Sequence, residues 1–226
     1  MNSQEELDVL VVGGGCAGIT AAAQAGRAGS KVLLVEKTGM LGGTTTNGGV
    51  SFPGLFHAWG KQVIAGIGWE LVIRCTKECG GILPDFSNYR RSHSQLQIPV
   101  SPFVFAALAD ELVVDSGVKL LFHSMVAGIE PTPSGVCWLV SICTKGGLET
   151  VRTKAVIDAT GDANIASLAG FPLVIPDEVQ PATLSCHAGG YDLTNLDIAA
   201  LNRAFDEEVR AGRLVYTDVS WNTVGP

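Results

Sequence analysis

Hydrophobic residues fall along this chain in blocks whose spacing changes with position. Residues 9–12 form a continuous apolar run. Residues 31–35, 118–122 and 154–160 carry runs of the same kind beside a lysine. Short unbroken runs predict strands buried on both faces. Between the first two lies a helix-like segment to about residue 28. Ile67, Leu71, Cys75 and Cys79 recur at helical spacing within 66–80. A second amphipathic helix opens at Pro102, runs to about residue 116 with Phe105, Leu108, Leu112 and Val113 facing in, and stops at Gly117. Residues 125–130, 135–144 and 148–152 alternate instead, with turn residues at 131–135 and 145–147, and predict an antiparallel meander. A short helix is expected from about Asn164. Beyond Gly170 come three closely spaced prolines, an alternating strand candidate at 182–188, and a helix over 196–212 with Leu201 and Phe205 inward.

Strand, helix and strand at the start of the chain predict an α/β protein with a parallel sheet. The chemistry sits at the first turn. Gly13, Gly15 and Gly18 have the G-x-G-x-x-G spacing, and Ala22 follows them. Gly13 permits a tight turn, Gly15 lets a pyrophosphate approach the backbone, and Gly18 with Ala22 lets the helix lie close to the sheet. The helix N-terminus offers free N–H groups to the phosphates. Glu36, eighteen residues after Gly18, ends the second strand, where a carboxylate binds the ribose hydroxyls. A glycine-rich turn without ligand is the bland alternative, in a chain with 28 glycines. The ordered succession of strand, glycines, helix, strand and acid favours the dinucleotide.

The chain of 226 residues is 46% hydrophobic and 16% charged, enough for a sizeable core in one large or two small domains. Its net charge of −7 gives no support for nucleic acid or an anionic membrane as partner. Residues 9–26 carry no charge, but Glu5, Glu6 and Asp8 precede them where a signal peptide needs positive residues. A cytoplasmic protein is expected. The six cysteines form no C-x-x-C and complete no metal site with histidine. Cys75 and Cys79 share a helical face and read as buried thiols in a reducing compartment.

Four stretches together carry a resemblance: DVLVVGGGCAG from Asp8, VEK from Val35, LGGT from Leu41 and VIDATGD from Val156. They resemble the FAD-dependent oxidoreductases of the two-dinucleotide-domain flavoproteins, with the fumarate reductase and glutathione reductase groups as cousins. The resemblance implies a Rossmann-like FAD-binding domain over residues 1–170, built of parallel sheet, helices and meander, with an insertion at about 50–100. Residues 171–226 would begin an incomplete second α+β domain. It implies that Gly13, Gly15, Ala17 and Gly18 hold the FAD pyrophosphate, with Cys16 packed as a small residue in the loop. Glu36 would bind the adenosine ribose beside Lys37. Gly42, Gly43, Thr44 and Thr45 would follow the pyrophosphate and ribityl chain, and Val126 would offer backbone groups to the adenine. Thr160, Gly161 and Asp162 would close over the cofactor, Asp162 doubling as N-terminal cap of the helix at Asn164. Thr45, Thr46 and Asn47 are expected along the flavin edge.

Two departures narrow this. Thr45 and Val50 stand where glutathione reductase relatives carry redox cysteines, so dithiol exchange is not expected. Nothing in 171–226 matches the segment that normally returns to the FAD domain, so the chain reads as the N-terminal half of a longer enzyme. Candidates for proton transfer or substrate anchoring are His57, Arg90, Arg91, His93 and His187. The expected activity is hydride transfer between a small organic substrate and flavin. The alternatives are a flavin-binding fragment or subunit without independent catalysis, and an NAD(P)-dependent dehydrogenase, against which the long insertion after Glu36 counts. A homo-oligomer, or a second chain supplying the missing half, is the assembly left open.

Overall fold

A computed structural model describes residues 6–91, 93–179, 190, 192 and 195–215. In chain order the elements are β1 (Leu7–Val12), α1 (Cys16–Arg27), β2 (Val32–Val35), the two-residue strands β3 (His57–Ala58) and β4 (Lys61–Gln62), α2 (Ile67–Glu78), α3 (Pro102–Asp115), β5 (Lys119–Leu121), β6 (Met125–Pro131), β7 (Trp138–Thr144), β8 (Gly147–Asp158), α4 (Asn164–Leu168) and α5 (Ile198–Arg210). The chain divides into two compact units between Pro176 and Asp177, and all of these elements except α5 belong to the first.

β1 lies in the middle of a six-stranded sheet of order β5-β2-β1-β8-β7-β6. It runs parallel to β2 and β8, and β5 runs parallel to β2. β7 and β6 continue the sheet antiparallel. The architecture is therefore α/β, as the strand–helix–strand pattern implies. The alternating segment 148–152 and the apolar run 154–160 form one twelve-residue strand, not two. Its first part pairs antiparallel with β7 and its last part parallel with β1, and the two ladders meet at Thr153, opposite both Trp138 and Leu7. Thr153 is wholly buried, whereas its neighbours Arg152 and Lys154 point out to pair with Glu6 and Asp8. The alternation of buried Val151 and Thr153 with exposed Arg152 and Lys154 thus carries across the junction, and nothing ends the strand there.

Each face of the sheet has its own core. On one face α1, α2 and α3 pack against β1 and β2 through Val11, Ile19, Leu34, Leu71, Phe105 and Leu112. On the other, Leu10, Val12, Leu33, Val140, Ile142 and Ile165 of α4 come together. α3 starts where its sequence says it should: the Ser101 hydroxyl accepts from the Val104 amide, Pro102 takes the first helical position, and Gly117 leaves the helix at φ 77°. α2 buries Leu71 and Cys75, but Cys79 lies just past its end and is exposed, so only one of that pair is a buried thiol. Burial, and then the neighbouring Cys79 thiol, push the Cys75 thiol up to about 11.

α5 matches the helix expected over 196–212, but Leu201, expected to face inward, is 42% exposed. The strand candidate at 182–188 falls outside the described residues. Among those described, no helix is long and apolar enough to cross a membrane.

Candidate functional site

The turn from β1 into α1 is held by glycines with different reasons for being glycine. Gly13 sits at φ 101°, and a Cβ there would lie 2.4 Å from the Ala159 carbonyl oxygen. A Cβ on Gly18 would lie 1.8 Å from the Gly13 carbonyl oxygen, so only glycine lets α1 settle on the loop. Gly15 is another case. Its φ of −70° and ψ of 179° suit any residue, and a Cβ there would meet no atom within 4 Å. The protein's own packing does not require this glycine. What it preserves is open space before the N-terminus of α1, whose first amides have no side-chain cap. That opening suits a phosphate: an anion there meets free N–H groups and the positive end of the helix.

A second wall comes from residues 41–46. The Gly42 amide donates to the Gly14 carbonyl at 2.8 Å, and Gly15 and Gly42 form a parallel bridge. A Cβ on Gly43 would come within 3.0 Å of the Gly15 Cα, so this turn lies directly against the loop. Thr44 is exposed; Thr45 is buried, its hydroxyl 3.4 Å from the Cys16 Sγ. Cys16, the first residue of α1, is exposed, as is Ala17 beside it. Thr46 and Asn47 have their polar groups engaged within the turn. The Thr46 hydroxyl donates to the Leu41 carbonyl at 2.7 Å, and the Asn47 amide donates to the Thr38 hydroxyl and the Met40 carbonyl.

Glu36 is only 6% exposed and faces the loop from the end of β2. Its Oε2 accepts from the Gly14 amide at 2.6 Å, and its Oε1 accepts from the Thr38 amide and hydroxyl, both at 2.7 Å. Lys37 beside it is exposed.

The third side is the end of β8. The Ala159 amide donates to the Val12 carbonyl, extending the ladder to the loop. The acid that caps α4 is Asp158, not Asp162. Asp158 Oδ2 accepts from the amides of Ile165 and Ala166 at 2.9 and 3.0 Å, and Oδ1 accepts from the Thr160 amide and hydroxyl. Ala163, at φ 54°, occupies the N-cap position with no side chain to offer. It bends the chain so that the acid six residues before Asn164 reaches the helix. Burial raises the Asp158 carboxyl, but the Thr160 hydroxyl and the amides of Ala166, Thr160 and Ile165 outweigh it and hold the pKa below the ordinary carboxylate value. Thr160 is half-buried; Gly161, at φ 90°, and Asp162 are exposed at the rim.

The remaining expected residues lie elsewhere. Val126 is buried in β6, paired with Ile142. His57 stacks on Phe86 with ring centroids 3.8 Å apart and meets Trp69 edge-on, its Nδ1 buried without a partner. Arg90 and Arg91 are exposed, His93 begins a short 3-10 turn, and His187 is outside the described residues.

Behind the loop lies a cavity of about 490 Å³. The first turns of α1, the 44–45 turn, the 50–56 segment, α2 and Phe105 of α3 line it, and it is open to solvent on one side. Neither His57 nor Arg90 is in its walls. Its apolar walls, Phe56, Leu71 and Phe105 among them, carried no site signal in the sequence, because each reads as ordinary core.

A family model described as FAD dependent oxidoreductase matches residues 8–223. A thiamine thiazole synthase of Archaeoglobus fulgidus is 32% identical over 174 residues, covering 73% of this chain and 60% of the relative. Another, of Methanococcus aeolicus, is 30% identical over 187 residues, covering 76% of this chain and 64% of the relative. The chain thus spans about three fifths of these relatives' length. Among solved structures, the OxyS anhydrotetracycline hydroxylase from Streptomyces rimosus has a similar fold, with a TM-score of 0.51 and 15% identity over 73% of this chain and 34% of that one.

Proposed function

Since this chain belongs to the family of FAD-dependent oxidoreductases, we propose that it seats the FAD pyrophosphate over Gly15 and the first turn of α1, and serves hydride exchange with a small organic substrate. The observation that carries this reading is the open face at Gly15, between two glycines that sterics alone demand. Gly13 and Gly18 shape the loop, and the amides of Cys16 and Ala17 meet the phosphates. Gly42, Gly43, Thr44 and Thr45 line the path of the ribityl chain. Glu36, already anchored to the Gly14 amide, presents its remaining lone pairs to the adenosine ribose, with Lys37 alongside. Thr160, Gly161 and Asp162 form the opposing lip, and Val126, buried in β6, is left only its backbone to offer the adenine. Bound FAD supplies hydride acceptance and donation at its ring; the chain's own residues bind, orient and shield.

The curated relatives above are thiamine thiazole synthases, but this chain covers about three fifths of their length. That coverage favours a second reading beside the first: a flavin-binding part that turns over only together with further chain.

The test is Gly15→Val. No atom lies near the added Cβ, so the variant should keep the parent's circular dichroism and melting temperature. Its FAD affinity should fall at least about a hundredfold, the equivalent of roughly 3 kcal/mol. A Gly15→Val protein that titrates with FAD like the parent would place the phosphate elsewhere.

A further inference from the structure

We propose that the cavity behind the glycine loop is the substrate pocket, and that it takes an uncharged, largely apolar molecule, aromatic or alkyl, of up to fused-bicyclic size. This rests on the reading that FAD lies over Gly15. The volume of about 490 Å³ falls within the ordinary range of ligand pockets. The space is open to solvent on one side, so a molecule can enter it. It borders the cofactor side, because Cys16, Ala17, Thr44 and Thr45 belong both to its wall and to the expected FAD path.

The walls decide the ligand class. α2 and α3 contribute Gly68, Leu71, Val72 and Phe105, and among the described residues no lysine, arginine, histidine, aspartate or glutamate lines the space. With the FAD pyrophosphate taking the amides of Cys16 and Ala17, a carboxylate or phosphate entering it would shed its hydration and meet no cationic side chain among the described residues. The polar groups come from the other side. The Thr20 hydroxyl is engaged by the Cys16 and Ala17 carbonyls of its own helix. The Cys16 thiol and Thr45 hydroxyl face each other at 3.4 Å, and either can redirect one hydrogen bond to a neutral substituent. A molecule lying here therefore turns its apolar body toward Leu71 and Phe105 and one neutral polar group toward the cofactor. Arg90 and His57, the residues that would suit an anion, lie outside the walls.

The experiment is calorimetric titration of the full chain saturated with FAD, using 2-naphthol and its anionic counterpart 2-naphthoate at neutral pH. 2-Naphthol should bind at least about tenfold more tightly. Gly68→Leu places a side chain in the cavity; its Cβ would lie an ordinary 3.8 Å from the Thr20 Cγ2 and 3.9 Å from the Phe56 Cε1. This variant should lose 2-naphthol binding and keep the parent's FAD affinity, followed separately by flavin absorbance. Equal or tighter binding of 2-naphthoate, no binding of 2-naphthol, or unchanged 2-naphthol affinity in Gly68→Leu would each overturn the proposal. Release of FAD by Gly68→Leu would also overturn it, by giving the cavity to the flavin. The comparison of the two probes on the parent needs no variant and decides the matter even if Gly68→Leu folds poorly. A parent that takes up no FAD at all would instead refute the cofactor reading.

Discussion

At the scale of single residues, the glycines of the first turn separate folding from binding. Gly18 is needed by the fold, because a methyl there would sit 1.8 Å from a backbone oxygen that cannot move away. Gly18→Ala should therefore lower the stability of the chain by about 3 kcal/mol or more, seen as an earlier denaturant midpoint. A midpoint equal to the parent's would mean that α1 can back away from the loop. Gly15, three residues earlier, carries no such constraint. The spacing of the glycines was legible in the sequence, and so was the acid at position 36. Their separate tasks were not, since spacing does not show which Cβ positions point at backbone and which at open space. Nor did it show that Glu36 clamps the loop through the Gly14 amide, a contact between residues 22 positions apart.

At the scale of elements, the β8–α4 joint shows where pattern reading stops. The sequence predicted a strand ending near residue 160 and the short helix after it, yet pointed to the nearest upstream acid as the cap. Backbone bending at Ala163 brings Asp158 round instead. Replacing it, Asp158→Ala, strips the helix of its capping carboxylate and should cost about 1–2 kcal/mol. The pH dependence has a definite sign. A carboxyl held below its ordinary value in the folded state stabilises fully above the unfolded pKa, near 4, and loses that contribution as pH falls through the lower folded value. Melting temperatures taken from pH 7 down to pH 2 should fall more steeply for the parent than for Asp158→Ala in the acid limb; parallel curves would remove Asp158 from the joint. The cavity was illegible for a related reason. Leu71 and Phe105 each show a helix its buried side, but a gap between helices exists only once they are packed.

At the scale of the whole molecule, the parallel strands and the meander share one sheet because β8 runs through both. The alternating residues announced the meander and the apolar runs announced the parallel core. The single strand joining them was hidden by Arg152 and Lys154, whose charges suggest an ending and in fact reach sideways to Glu6 and Asp8. β7 accompanies β8 only as far as Trp138, opposite Thr153. Beyond that point the first unit has β1 on one side of β8 and, among the described residues, no strand on the other.

Backbone groups on a strand address its two neighbours by turns. The Ala159 amide points to β1, so those of Ile157 and Ala155 do too, and that of Val156 points away. In heavy water the Val156 proton should be lost at least about tenfold sooner than that of Ile157, as read by residue-resolved exchange. Equal lifetimes would reveal a companion strand along that margin. The last residues of β8 thus make a seam stitched down one side only, and isotope exchange reports whether anything has been sewn to the other.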